Sequence, residues 1–313
     1  MRFPAAAVVT LSLAAAAAAA QPRRQTTPPV FGAEIEVVNL NVSVTNPEGN
    51  YVGGLNARDF AVYEDGIRQE LTIFEHEDLA LSVVLQIDGS ASMADKMKDA
   101  QAAARQFLKT FRPGDMAQIV QFSDRVTILQ SFTTDLAALD EAVGRTEASG
   151  PTSLHNALYV SLKDLANEKK KSGGELRRRA VVLLSDGEDT SSLVTDGQVL
   201  ELAKKTEINV YPILLRQNRA GAGNRPAFSQ AEHLLTTLAR DTGGRHFMPN
   251  SISELDKVYA RIAEELRTLY SIGYVSSNPR RDGKWRRIVV RVPGRDDLVI
   301  RNKLGYYAPQ NPR

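Results

Sequence analysis

Leu81-Ser-Val-Val-Leu-Gln-Ile-Asp-Gly-Ser-Ala-Ser-Met93 decides the fold. Leu81 to Ile87 is short, apolar and rich in β-branched residues, as in a strand buried on both faces of a parallel sheet. It ends in Asp88, Ser90 and Ser92, three oxygen-bearing side chains at alternate positions. Met97, Ala100, Ala104, Phe107, Leu108 and Phe111 then follow at helical spacing. Strand, polar turn and helix put the three oxygens at the carboxyl end of a central strand, where open α/β sheets carry their ligands. One carboxylate and two hydroxyls suit Mg²⁺ or Mn²⁺ better than Zn²⁺ or copper. The same triplet also suits a simple helix cap, with Asp88 as a solvated turn residue.

Two later stretches bear on that choice. Gly150-Pro151-Thr152-Ser153 precedes a helical pattern on Leu154, Leu158, Leu162 and Leu165. Ala180 to Ser185 is a second buried-strand run, ending in Asp186-Gly187-Glu188-Asp189. Asp-x-Ser-x-Ser, then a Thr at a glycine-containing turn, then an Asp after a hydrophobic strand resembles the metal-ion-dependent adhesion site of von Willebrand factor A-type domains. The resemblance spans roughly Leu79 to Arg267. It implies that Asp88, Ser90, Ser92, Thr152 and Asp186 surround one Mg²⁺ or Mn²⁺, some directly and some through water. Pro151 stands where that family usually has a second glycine, a departure that leaves every donor present.

Composition narrows the function. The formal net charge of +2 gives no support to a nucleic-acid partner. Cysteine is absent, which excludes disulfides, zinc–thiolate sites and cysteine nucleophiles. His76, His155, His233 and His246 show no ligand spacing, and His155 reads as a helix-surface residue. Met1-Arg2, the apolar run to Ala20 and the small residues before Gln21 read as a signal peptide, so an exported protein is expected, periplasmic or extracellular. No later segment could span a membrane, and Gln21 to Val30 reads as a flexible lead-in.

The expected fold class is α/β: a doubly wound, mostly parallel sheet with one antiparallel edge strand, flanked by helices and inserted into a smaller β-sandwich. The sandwich would combine amino-terminal strands (34–78) with carboxyl-terminal strands (269–309), around an α/β domain at 79–268, with 310–313 as a tail. In the first part, Ile35, Val37, Leu40, Val42 and Val44 read as a strand with a phase shift near Val38-Asn39. Asp65-Gly66 reads as a hairpin turn into one strand, Ile67 to Phe74. In the α/β part, a further strand is expected at Arg245–Met248, and Ser251-x-x-Glu254 reads as a capping box. Lys169–Lys171 with Arg177–Arg179 reads as a solvated basic loop. The whole layout, closing on Gly305-Tyr306-Tyr307, resembles a bacterial secreted group related to von Willebrand factor A.

The resemblance implies cation-dependent binding of a protein, a partner Asp or Glu completing the coordination. Arg216 to Phe228, a glycine- and arginine-rich loop expected on the metal face, reads equally as a contact to that partner or as a disordered connector. Glu188 and Asp189 read as a solvated acidic loop beside the site. Two rivals remain open. One is a Mg²⁺-dependent phosphoryl-transfer hydrolase with Asp88 as nucleophile, against which Ser90 stands where a second acid is needed and no lysine clamp is evident. The other is a permanent structural cation, with contacts made by Tyr274, Trp285, Tyr306 and Tyr307 on the sandwich.

Overall fold

The computed structural model describes residues 37–76, 79–173, 175–215 and 230–310. The chain divides into two units, Met1–Ile35 and Glu36–Arg313. The first lies outside the described residues, as do the expected signal peptide, the lead-in and the loop Arg216 to Phe228.

Four strands come first: β1 (Val37–Thr45), β2 (Ala61–Glu64), β3 (Ile67–Gln69) and β4 (Leu71–Glu75). The α/β stretch follows as β5 (Leu81–Asp88), α1 (Met97–Leu108), β6 (Met116–Phe122), β7 (Val126–Thr133), α2 (Leu136–Gly144) and α3 (Leu154–Lys171). It continues with β8 (Arg178–Ser185), α4 (Asp196–Lys204), β9 (Asn209–Leu214), α5 (Gln230–Thr242) and α6 (Leu255–Thr268). Then come β10 (Tyr270–Val275), β11 (Trp285–Arg291), β12 (Val299–Arg301) and β13 (Gly305–Tyr307).

The central sheet has the order β7-β6-β5-β8-β9. β5 runs parallel to β6 and β8, and β8 parallel to β9, while β7 is the antiparallel edge strand. Every residue of β5 and β8 is buried, because helices cover both faces of the sheet. Leu85, Phe107, Leu139 and Tyr259 belong to the core under α1, α2 and α6. Val84, Leu158, Val199 and Leu238 belong to the core under α3, α4 and α5. Each such fully buried Val, Leu or Phe contributes about 1.5–3 kcal/mol by leaving water. The expected α/β fold is what the chain adopts.

The remaining strands form two antiparallel sheets, β12-β1-β10-β4 and β13-β11-β2-β3. Leu40 and Val42 of β1, Tyr270 and Ile272 of β10, Val62 of β2 and Ile288 of β11 share one core between them. Each sheet draws strands from both sides of the α/β stretch, so neither side of the chain builds a sheet pair alone. Glu64 is buried in this core with Arg286 at 3.1 Å, and it accepts from Tyr274 Oη at 2.9 Å and Tyr306 Oη at 3.0 Å. Trp285 and Tyr307, by contrast, are about one-third exposed.

Several local expectations need correction. Val38, Leu40, Val42 and Val44 alternate inward without interruption and β1 pairs β10 in unbroken register, so the phase shift does not exist. Asp65 and Gly66 have φ of +47° and +85° and turn β2 into β3 as a hairpin. The strand expected from Ile67 to Phe74, however, breaks at Glu70: β3 pairs β2 while β4 pairs β10 in the other sheet. Arg245–Met248 makes only a single bridge, Phe247 to Ile213. Glu254 accepts from the Asn250 amide instead of that of Ser251, so no box forms there. A box does open α4, where Thr195 and Gln198 bond reciprocally.

The largest correction concerns Arg177, Arg178 and Arg179, all buried at the start of β8. The Arg178 guanidinium donates to the carbonyls of Leu266, Arg267, Leu269 and His76, so it caps the end of α6. Arg179 pairs with Glu168 at 3.0 Å. A buried arginine satisfied by carbonyls and a carboxylate looks the same in sequence as a solvated one.

Candidate functional site

Three loops meet at the carboxyl edge of the central sheet. The first follows β5. Asp88 is its last residue and fully buried, and a single 3₁₀ turn at Ala91–Met93 separates it from α1. Gly89 is required there, since a Cβ would stand 2.7 Å from both the Glu147 carbonyl and Gln121 Nε2. The second loop precedes α3 and is zipped to the first: Ser149 N donates to Gly89 O at 2.7 Å and Ala91 N to Gly150 O at 3.0 Å. The third follows β8. Thr190 N and Ser191 N donate to Thr152 O at 2.9 and 3.1 Å, tying it to the second.

The side chains then converge. Ser92 Oγ donates to Asp186 Oδ1 at 2.6 Å and lies 3.0 Å from Ser90 Oγ. Ser92 has one proton, already given to Asp186, so Ser90 is the donor in the second contact. Asp88 Oδ1 accepts from Ser90 N at 2.8 Å and Oδ2 from Ser185 Oγ at 2.5 Å. A Cβ on Gly187 would stand 3.6 Å from Thr152 Oγ1 and 3.9 Å from Ser92 Oγ, which places Thr152 at the same cluster. All five residues singled out in the sequence therefore border one small region.

Burial pushes the Asp88 carboxyl above its usual range, and the negative charge of Asp186 acts in the same direction against the hydrogen bonds from Ser185 and Ser90. Two carboxylates held this close call for a positive charge. The chain supplies one that the sequence did not reveal: Lys96 Nζ pairs with Asp186 and donates to Ser92 O at 3.1 Å. Ser185, read only as a strand end, likewise holds Asp88 in place.

The surroundings are more structured than expected. Glu188 accepts from the Ala231 amide at 2.9 Å, at the start of α5. Asp189 accepts from the His155 amide at 3.1 Å and from Ser192 Oγ at 2.5 Å, so it caps α3. His155 is not a surface residue but 8% exposed, its Nδ1 3.2 Å from the Val194 carbonyl. Among the described residues no three His, Cys, Asp or Glu side chains gather as a metal set. The cluster has two carboxylates and three hydroxyls, a hard-oxygen set that fits a cation of the Mg²⁺ or Mn²⁺ kind.

Residues 83–188 match the sequence model of the von Willebrand factor type A domain. The doubly wound sheet is of the kind such domains have, so this stretch is similar to a von Willebrand factor type A domain, and it contains all five clustered residues. A UPF0353 protein of Mycobacterium leprae is 26% identical over 226 residues, covering 67% of this chain and 66% of its own length. A UPF0353 protein of Mycolicibacterium vanbaalenii is 25% identical over 241 residues, covering 71% of this chain and 70% of its own. This chain thus spans just under two thirds of the first relative. Among solved structures, a von Willebrand factor type A protein from Catenulispora acidiphila aligns with a TM-score of 0.50 at 13% identity. It covers 81% of this chain and 74% of its own, a likeness of fold.

Proposed function

We propose that this chain is an exported module that binds a protein partner through a divalent cation held by Asp88, Ser90, Ser92, Thr152 and Asp186. The observation that carries the reading is the convergence of five oxygen-bearing side chains from three mutually bonded loops, with one carboxylate fully buried. A bound Mg²⁺ or Mn²⁺ would offer a coordination position to an Asp or Glu carboxylate of the partner. The residues of this chain fix the donors: Ser185 and the Ser90 amide hold Asp88, and Ser92 holds Asp186. Export rests on the signal-like residues 1–20; among the described residues no helix is long and apolar enough to cross a membrane.

Calorimetric titration of the purified protein with Mg²⁺ and Mn²⁺ tests the site. One saturable event, lost in Asp88→Ala and Asp186→Ala that still fold, is expected. Capture of a partner from cell-envelope extract should then disappear with chelator. Cation binding that survives both substitutions would overturn the reading.

Lys96 gives the phosphoryl-transfer reading one element that the sequence lacked, a lysine beside the acidic pair. Ser90 still occupies the position of the second acid. Mg²⁺-dependent hydrolysis of p-nitrophenyl phosphate, abolished by Asp88→Asn, would favour that reading over binding alone.

A further inference from the structure

At the other edge of the central sheet, the end of α4 meets the β-sandwich around a cleft of about 490 Å³. Glu207 of this cleft precedes the first residue of β9, whereas Asp186 follows the last residue of β8, and the two strands are parallel. The cleft is therefore remote from the candidate metal centre. Its volume falls in the range of small-ligand sites.

The charges lining it are uneven. Glu201, Lys204, Lys205, Glu207 and Lys303 carry three positive and two negative charges. Both carboxylates are already engaged, Glu201 with Lys205 at 2.6 Å and Glu207 with Lys169. Lys204 lies 3.4 Å from Asp241. Lys303 is the exception: it is 8% exposed, and among the described residues its ammonium donates to the Thr206 carbonyl alone, at 3.3 Å. Lysine is almost never buried this far without a counter-ion. Burial accordingly lowers its proton affinity, with Glu207 acting against that and Lys169 with it.

We propose that the cleft is a binding site for a small, partly apolar organic carboxylate, with Lys303 as its counter-charge. One unmatched positive charge calls for one negative charge. The carboxyl end of α4, with its partial negative charge, further disfavours a dianion such as phosphate. Val37 and Tyr307 line the cleft as well and offer surface to the rest of the ligand. A free acid and a peptide carboxyl terminus present the same group.

The test is calorimetry on the whole protein with N-acetylphenylalanine, with N-acetylphenylalaninamide, with the peptide N-acetyl-Gly-Gly-Phe, and with inorganic phosphate. At least one carboxylate should bind saturably, and the tighter of the two names the source. The amide should not bind. Lys303→Met should weaken binding by about tenfold or more, as loss of a charged hydrogen bond does, while Asp88→Ala leaves it unchanged. If Lys303→Met does not fold, Val37→Trp should block the cleft with the lysine in place. Equal binding of acid and amide, preference for phosphate, or affinity untouched by either substitution would overturn the proposal.

Discussion

Lys96 places its ammonium on Asp186, the carboxylate that also takes the Ser92 proton at 2.6 Å. The protein thus carries a tethered positive charge within the cluster proposed to hold a cation. Lys96 is 28% exposed, and Asp186 is fully covered. We predict that Lys96→Met lowers the stability of the cation-free protein by about 1–3 kcal/mol, between the values for surface and buried pairs. The same substitution should tighten Mg²⁺ binding, because the cation no longer displaces an ammonium. Unchanged affinity by calorimetry would show that the two charges do not compete.

Asp88 is held against its desolvation by Ser185 and the Ser90 amide. Asp88→Asn removes a buried charge and keeps the shape. The expected outcome is loss of Mg²⁺ binding together with an unchanged or higher melting temperature without metal, as at sites where function opposes stability. A melting temperature that falls by several degrees would contradict it.

Glu265 joins the sandwich to the α/β body. It is fully buried in α6, accepting from Tyr51 Oη at 2.7 Å, Arg301 at 2.6 Å and Tyr211 Oη at 3.2 Å. Glu265→Ala removes the counter-ion of Arg301 and the carboxylate acceptor of two tyrosine hydroxyls at once. We expect a cost of about 3–5 kcal/mol, typical of breaking a buried charged network, read as a lower urea midpoint.

Lys303 should leave a signature in the pH dependence of stability. Its folded pKa lies below 10.5, so between the two values the unfolded chain binds more protons. Stability therefore rises with pH across that window. Lys303→Met should remove the rise, which denaturation of both proteins along a pH series ending at 10 would detect. Parallel curves would contradict the shift. Above pH 10 the buried Tyr211 and Tyr259, whose pKa values are raised, bend both curves downward alike.

What the sequence disclosed follows from what it encodes locally. Asp88, Ser90, Ser92, Thr152 and Asp186 were readable because each follows or precedes a run whose apolarity fixes the element beside it. Lys96 was not, because it reaches Asp186 only after the 3₁₀ turn at Ala91–Met93 has redirected the chain. The split at Glu70 escaped because a period of two shows that residues are extended but not which sheet they join. Arg178 misled for another reason: its partners are main-chain carbonyls on α6, which carry no trace in side-chain identity.

β4 hands the chain to β5, and α6 hands it to β10, yet β4 and β10 are neighbours, with Phe74 opposite Ile272. The α/β body is therefore suspended from two adjacent strands, and Val37 and Gln310 both lie among the sandwich strands and bridges. Tension applied between those two positions would load the sandwich first and reach the body only by unzipping β4 from β10. The body is mechanically in parallel with that strand pair: under force it is the last part to feel the pull, and its loops keep their arrangement while the sandwich bears the strain.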